Sequence, residues 1–138
     1  WGKLDLWIHT AVHAAPLAPA GHIGPKDLSK SIDINITATA RLIGYVGPLL
    51  GQFGHAVFMD DPQAGKQFFG AYGATKTAQT ALAKSWAAES QNTGPHVHIV
   101  TPNPMPTATR ARFHPGEDRS PLASPTEEAA RLISSLPI

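Results

Sequence analysis

Three short apolar runs, separated by long stretches of helical character, constrain the architecture of this chain more than any other feature. Leu4 to Thr10 is the first run, Ala56-Val57-Phe58-Met59 the second and His96 to Val100 the third; each has the length of a strand. A helix is predicted from Pro25 and Lys26, since proline suits a first turn, through Leu28, Ile32, Ile36 and Leu42 to about Leu49. Gly54-His55 breaks the chain before the second run. Ala71 to about Gln91 is alanine-rich, with strong intrinsic helix propensity, and Asn92-Thr93-Gly94-Pro95 closes it. Ser124-Pro125-Thr126-Glu127 reads as a capping box opening a last helix that ends near Leu136. Loops are expected from His13 to Pro25, Asp60 to Gly70 and Thr101 to Ser124.

The resulting order, β-α-β-α-β-α, implies parallel strands joined by right-handed helical crossovers. Parallel sheets are covered on both faces, and their strands read as continuous apolar runs, as Leu4–Ile8 and Ala56–Met59 do. Three strands alone make a poor parallel sheet, and the first would be an exposed apolar edge. Together with a first residue that is Trp rather than Met, this leads us to expect further chain before Trp1.

The 138 residues suit one domain or part of one, and carry a net charge of +1. Lysines and arginines are scattered, with Arg110 and Arg112 the densest pair, so no basic stripe marks a nucleic-acid binder. No apolar run approaches the ~18 residues of a membrane helix, and no signal peptide is visible. The absence of cysteine removes disulfides and thiolate metal sites and is compatible with a cytoplasmic location.

The strongest chemical signal is Tyr72-Gly73-Ala74-Thr75-Lys76 at the start of a helix. Residues four apart share a helix face, so the phenol and the ammonium point at one space. A nearby cation favours phenolate and makes tyrosine a usable acid or base. Two histidine pairs, His9 with His13 and His96 with His98, suggest metal, but no third ligand is evident and none is expected. Asp60-Asp61 could hint at Mg²⁺, but adjacent side chains at a strand end diverge.

Further segments fit one pattern. Gly2-Lys3-Leu4-Asp5-Leu6 looks like the lead into a fourth strand, and His9-Thr10-Ala11-Val12 stands in the place of an Asn-Asn-Ala-Gly motif. Asp33-Ile34-Asn35 matches a helix segment with a structural Asn, and Tyr72 to Ala78 a catalytic segment. Asn103-Pro104-Met105-Pro106-Thr107-Ala108-Thr109 matches an Asn-Pro-Gly-x-x-x-Thr motif. With these segments the chain resembles the short-chain dehydrogenase/reductase family over almost its whole length. Arg110-Ala111-Arg112 and Pro115-Gly116-Glu117-Asp118 resemble a bacterial subgroup of it.

The resemblance implies a Rossmann-like, doubly wound parallel α/β sheet, with residues 1–138 as one partial domain lacking the N-terminal nucleotide-binding half. It implies hydride transfer between NAD or NADP and a small carbonyl or alcohol substrate. Tyr72 would exchange the proton with the substrate oxygen. Lys76 would lower its pKa and bind the ribose hydroxyls. Asn35 would hold a water in a proton relay. Ala11, Pro104, Thr107 and Thr109 would line the cofactor site, Thr109 at the carboxamide. The two long helices would build a homodimer or homotetramer.

Four departures fall on that site. The family's catalytic serine is replaced by Asp60-Asp61, which makes Asp61 the residue at the catalytic position. An ionised Asp only accepts hydrogen bonds, and losing one donor costs roughly 3–4 kcal/mol of transition-state stabilisation. A carboxylate there would also raise the Tyr72 pKa. A neutral buried Asp, or the amide of Gln63, could supply the donor instead. Val12 and Thr10 replace the motif's glycine and second asparagine, and Met105 replaces the glycine of Pro-Gly. The phosphate-binding Gly-x-x-x-Gly-x-Gly does not occur in these 138 residues, so this chain alone is expected to bind NAD(P) poorly. The alternative expectation is a degenerate, non-catalytic member that acts by association with a partner.

Overall fold

The computed structural model describes residues 2–138. Strands β1 (Leu6–His9), β2 (His55–Met59) and β3 (His96–Val100) form a parallel sheet in the order β1-β2-β3. Between β1 and β2 run α1 (Pro25–Ser31), a π-helical turn (Ile32–Thr37) and α2 (Ala38–Leu50). Helix α3 (Gly70–Glu89) links β2 to β3, and α4 (Ala108–Phe113) and α5 (Pro125–Ser135) follow. Each expected strand and helix is present, and the sheet is a partial Rossmann-like one.

Side chains alternate across the sheet. Trp7, Ala56, Phe58, Val97 and Ile99 face Ile43, Val46 and Leu50 of α2 and Ala83 and Trp86 of α3. The Trp7 and Phe58 rings meet edge-on at 5.3 Å. The tight return from α2 to β2 requires Gly54, where a Cβ would lie 2.5 Å from the Leu50 carbonyl oxygen. On the opposite face Val57 is buried while Ile8 of β1 is exposed. His98 points to that face, and its Nε2 lies 3.0 Å from His55 Nδ1.

The first long helix departs from its expected phase. Leu28 and Ile32 are exposed, and the fully buried stripe is polar: Ser31, Asn35 and Thr39. A π turn follows at Ile32–Thr37, and because an i→i+5 turn admits an extra residue, positions counted at 3.6 per turn lose register beyond it. Helix α4 lies inside the proline-rich segment expected to be a loop, and Thr107 caps it by accepting the Arg110 N–H at 3.2 Å. The cap of α5 is as expected, with Ser124 Oγ accepting from the Glu127 amide. No helix among the described residues is long and apolar enough to cross a membrane.

Candidate functional site

The carboxyl ends of the strands and the first turns of α3 converge on Tyr72. Gly73 allows this: a Cβ there would meet Ala64 Cα at 3.0 Å and the Gln63 carbonyl oxygen at 3.3 Å. The loop after β2 therefore lies directly on α3, which brings Asp61 over the tyrosine. Tyr72 Oη donates to Asp61 Oδ2 at 2.8 Å, and Gln63 Nε2 donates to Asp61 Oδ1 at 2.9 Å. Asp60 turns away, accepting from Thr80 Oγ1 at 3.2 Å. The Tyr72 ring packs against Phe113 of α4 at 4.7 Å and Phe69 at 6.5 Å, with Val12 half-buried on the same cluster. Arg112 fastens α4 to the loop after β1 by donating to the Ala14 carbonyl at 2.7 Å.

Burial pushes the Tyr72 phenol well above its ordinary value of 10.0, and the hydrogen bond and charge of Asp61, with the charge of Asp60, push the same way. The lowering expected from Lys76 is not found, because the phenol is desolvated and donates to a carboxylate, and both raise its pKa. Lys76 is itself buried, and desolvation lowers its pKa while Asp61 and Asp60 oppose that shift.

Lys76 Nζ donates to Gln79 Oε1 at 2.6 Å. Gln79 Nε2 in turn reaches Thr39 Oγ1 at 3.0 Å, His9 Nε2 at 3.1 Å and the Ala11 carbonyl at 3.3 Å. Thr39 Oγ1 donates to the Asn35 carbonyl at 2.9 Å. Asn35 clamps the backbone of His13 from both sides, accepting its N–H at 2.6 Å and donating to its carbonyl at 3.0 Å, and also donates to Thr75 Oγ1. Its side chain thus braces the loop after β1, and its carbonyl already holds Thr39. Burial, and then the Lys76 cation, keep His9 below its ordinary pKa.

Gln79 and Thr39 carry no motif, so sequence reasoning missed them; their one signal was polarity on the inward stripe of two helices. His9, at the end of β1, was read only as part of the Asn-Asn-Ala-Gly-like segment and of a histidine pair.

Among the residues expected to touch a nicotinamide nucleotide, Ala11 and Pro104 are exposed and open to a ligand, while Thr107 and Thr109 are half-buried around the start of α4. Asn103 beside them is anchored through its N–H and Nδ2 to Glu128 of α5 at 2.8 and 3.0 Å. The Arg131 guanidinium and these Asn103 groups hold the Glu128 carboxyl well below the usual range. An ammonium carries three donors, so Lys76 has further N–H groups beyond the one given to Gln79. Donors of this kind would suit the ribose hydroxyls of such a nucleotide. Among the described residues, no group of three His, Cys, Asp or Glu side chains could hold a metal ion. A separate cleft of about 620 Å³, lined by Ala18, Phe68, Ala74 and Thr77 among others, opens beside Phe69, and Lys66 is the one charged residue of its lining.

A family model described as enoyl-(acyl carrier protein) reductase matches residues 1–132. The chain belongs to that family, within the short-chain dehydrogenase/reductases. Among solved structures, a short chain dehydrogenase from Salmonella enterica serovar Typhi is 27% identical with a TM-score of 0.86, over 92% of this chain and 54% of that one. One from Escherichia coli, complexed with NADPH, is 28% identical with a TM-score of 0.84, over 92% and 54%. One from Pseudomonas syringae is 26% identical with a TM-score of 0.85, over 92% and 53%. The chain thus spans about half the length of the structures it matches. A comparison with curated protein sequences finds no match.

Proposed function

We propose that this chain is the C-terminal half of an NAD(P)-dependent oxidoreductase that moves hydride between the nucleotide and a carbonyl or alcohol carbon. One observation carries this reading: Tyr72 and Lys76 stand one turn apart on α3, both buried, beneath the loop that follows β2. When bound, the nucleotide supplies or takes the hydride. Lys76 holds its ribose hydroxyls, and Ala11, Pro104, Thr107 and Thr109 line the nicotinamide side. Tyr72 exchanges the proton with substrate, and Asn35 shapes the loop that the nucleotide lies against. The protein works in the cytoplasm, as a homodimer or homotetramer built on α2 and α3; exposed Tyr45 and Leu49 on α2 suit that role.

A second reading is a non-catalytic member that acts by association. The bond between Tyr72 and Asp61 favours it, since a phenol held by a carboxylate is a poor proton exchanger. Titration calorimetry with NADPH and NADH separates the two, using protein that includes whatever precedes Trp1. Micromolar binding, with turnover abolished in Tyr72→Phe, is the expected result. Folded protein that binds neither nucleotide would leave the association reading, whereas turnover unchanged in Tyr72→Phe would remove the role assigned to Tyr72.

A further inference from the structure

We propose that Glu128 of α5 is a positioning residue for the nucleotide: it fixes the backbone at Asn103 and, through it, the segment 104–109 that lines the nicotinamide side. This deepens the oxidoreductase reading and rests on it.

Burying a carboxylate is costly unless donors meet it. Helix α5 buries two side chains, Glu128 at 2% exposure and Leu132. The carboxylate thus takes a place where an apolar side chain would hold the helix at least as well. Each of its oxygens accepts two hydrogen bonds. Oε1 accepts from the Asn103 N–H at 2.8 Å and from Arg131 Nη2, and Oε2 accepts from Asn103 Nδ2 at 3.0 Å and Arg131 Nε at 2.9 Å. That fills the carboxylate. Arg131 lies on the same helix, so the bonds that Glu128 sends out of α5 both go to Asn103.

Those two bonds act where the chain has little freedom left. Asn103 precedes a proline, which confines it to extended backbone, and the Pro104 ring fixes its own φ. Holding the amide and the side chain of Asn103 together therefore sets the direction in which Pro104 leaves. A second tie comes from the same end of α5. The Ala123 N–H, one residue ahead of the Ser124 cap, donates to the Pro104 carbonyl at 3.2 Å. Beyond it the Thr107 N–H donates to the Met105 carbonyl at 2.7 Å, and Thr107 caps α4. The places of Thr107 and Thr109 are thus set from α5, and a displacement of Asn103 carries to both.

Glu128→Gln keeps the length of the side chain but offers one acceptor where two are needed. Either the N–H or the Nδ2 of Asn103 is then left facing a donor. The segment 104–109 loosens, while the rest of the nucleotide site keeps its contacts.

The test uses the full protein, with whatever precedes Trp1. Calorimetry measures NADPH and NADH, and alongside them 2′-phospho-ADP-ribose and ADP-ribose, the same molecules without the nicotinamide. Glu128→Gln is expected to weaken the preferred dinucleotide about tenfold and to leave its nicotinamide-free counterpart unchanged. Leu132→Ala removes the other buried side chain of α5 and no bond to Asn103. It is expected to lower the melting temperature and to change neither affinity. Should Glu128→Gln not fold, Asn103→Ala removes one of the two bonds from the other side and is expected to show the same selective loss. A dinucleotide affinity unchanged in these variants, an equal loss for both molecules, or a selective loss reproduced by Leu132→Ala overturns the proposal and leaves the oxidoreductase reading standing. A wild-type protein that binds neither dinucleotide removes that reading, and the proposal with it.

Discussion

The Tyr72 phenol donates to Asp61 Oδ2 across 2.8 Å, so the residue with the strongest catalytic signature is hydrogen-bonded to the residue that breaks the family pattern. Asp61 reaches it only because Gly73 lets the loop after β2 rest on α3. Burial and this bond together keep the phenol protonated through neutral pH.

Replacing Asp61 by Asn removes both of its contributions to the upward shift and leaves burial in place. The Tyr72 pKa should fall toward 10.0 while staying above it. The ultraviolet absorbance of tyrosinate, followed against pH in a Tyr45→Phe background, reports this directly. An unmoved titration would show that the bond to Asp61 contributes little.

Gln79 is the hinge of the buried polar layer, and Gln79→Ala leaves Lys76, Thr39 and His9 short of a partner. Each unsatisfied buried group costs about 1–3 kcal/mol, part of it recovered by entering water, so a net loss of about 3 kcal/mol is expected. Urea unfolding measures it. A loss under about 1 kcal/mol would mean the layer rearranges freely.

Stability should fall on the acid side. His9 has a folded-state pKa below 6.5, so the unfolded chain binds more protons once pH drops under that value. Stability is therefore full above about 6.5 and is lost as pH falls below it toward the folded-state value. His13, His55 and His98 shift the same way, all chiefly through burial. Thermal melts between neutral and mildly acid pH should show the decline, and it should be shallower in His9→Asn.

In Gly73→Ala the added methyl presses on Ala64 Cα and the Gln63 carbonyl. Backbone cannot give way cheaply, so we expect a loss of about 1–3 kcal/mol and a weakened bond between Asp61 and Tyr72. The tyrosinate titration of this variant should move down, as in Asp61→Asn.

Much of the fold was legible because its determinants are local. Strand-length apolar runs, the Pro25 start, the Ser124 cap and the Tyr72–Lys76 spacing each act within a few residues, and chain order then dictates a parallel sheet. Helix α4 escaped notice because its proline-rich approach reads as loop, although Thr107 was its cap. The inward stripe of the first helix escaped because it is polar, Ser31, Asn35 and Thr39, where a count of apolar positions selects Leu28 and Ile32.

The candidate site divides the same way. Sequence alone set Tyr72 and Lys76 on one helix face and put an acid in the place of a serine. Only the tertiary structure decided that Asp61 holds the phenol, that Asn35 braces His13, and that Gln79 spans from Lys76 to His9, 70 residues away. These contacts depend on the packing of α3 against β1 and the π turn. That packing distance is fixed by what fills the core between the elements, a quantity that no local stretch of sequence contains.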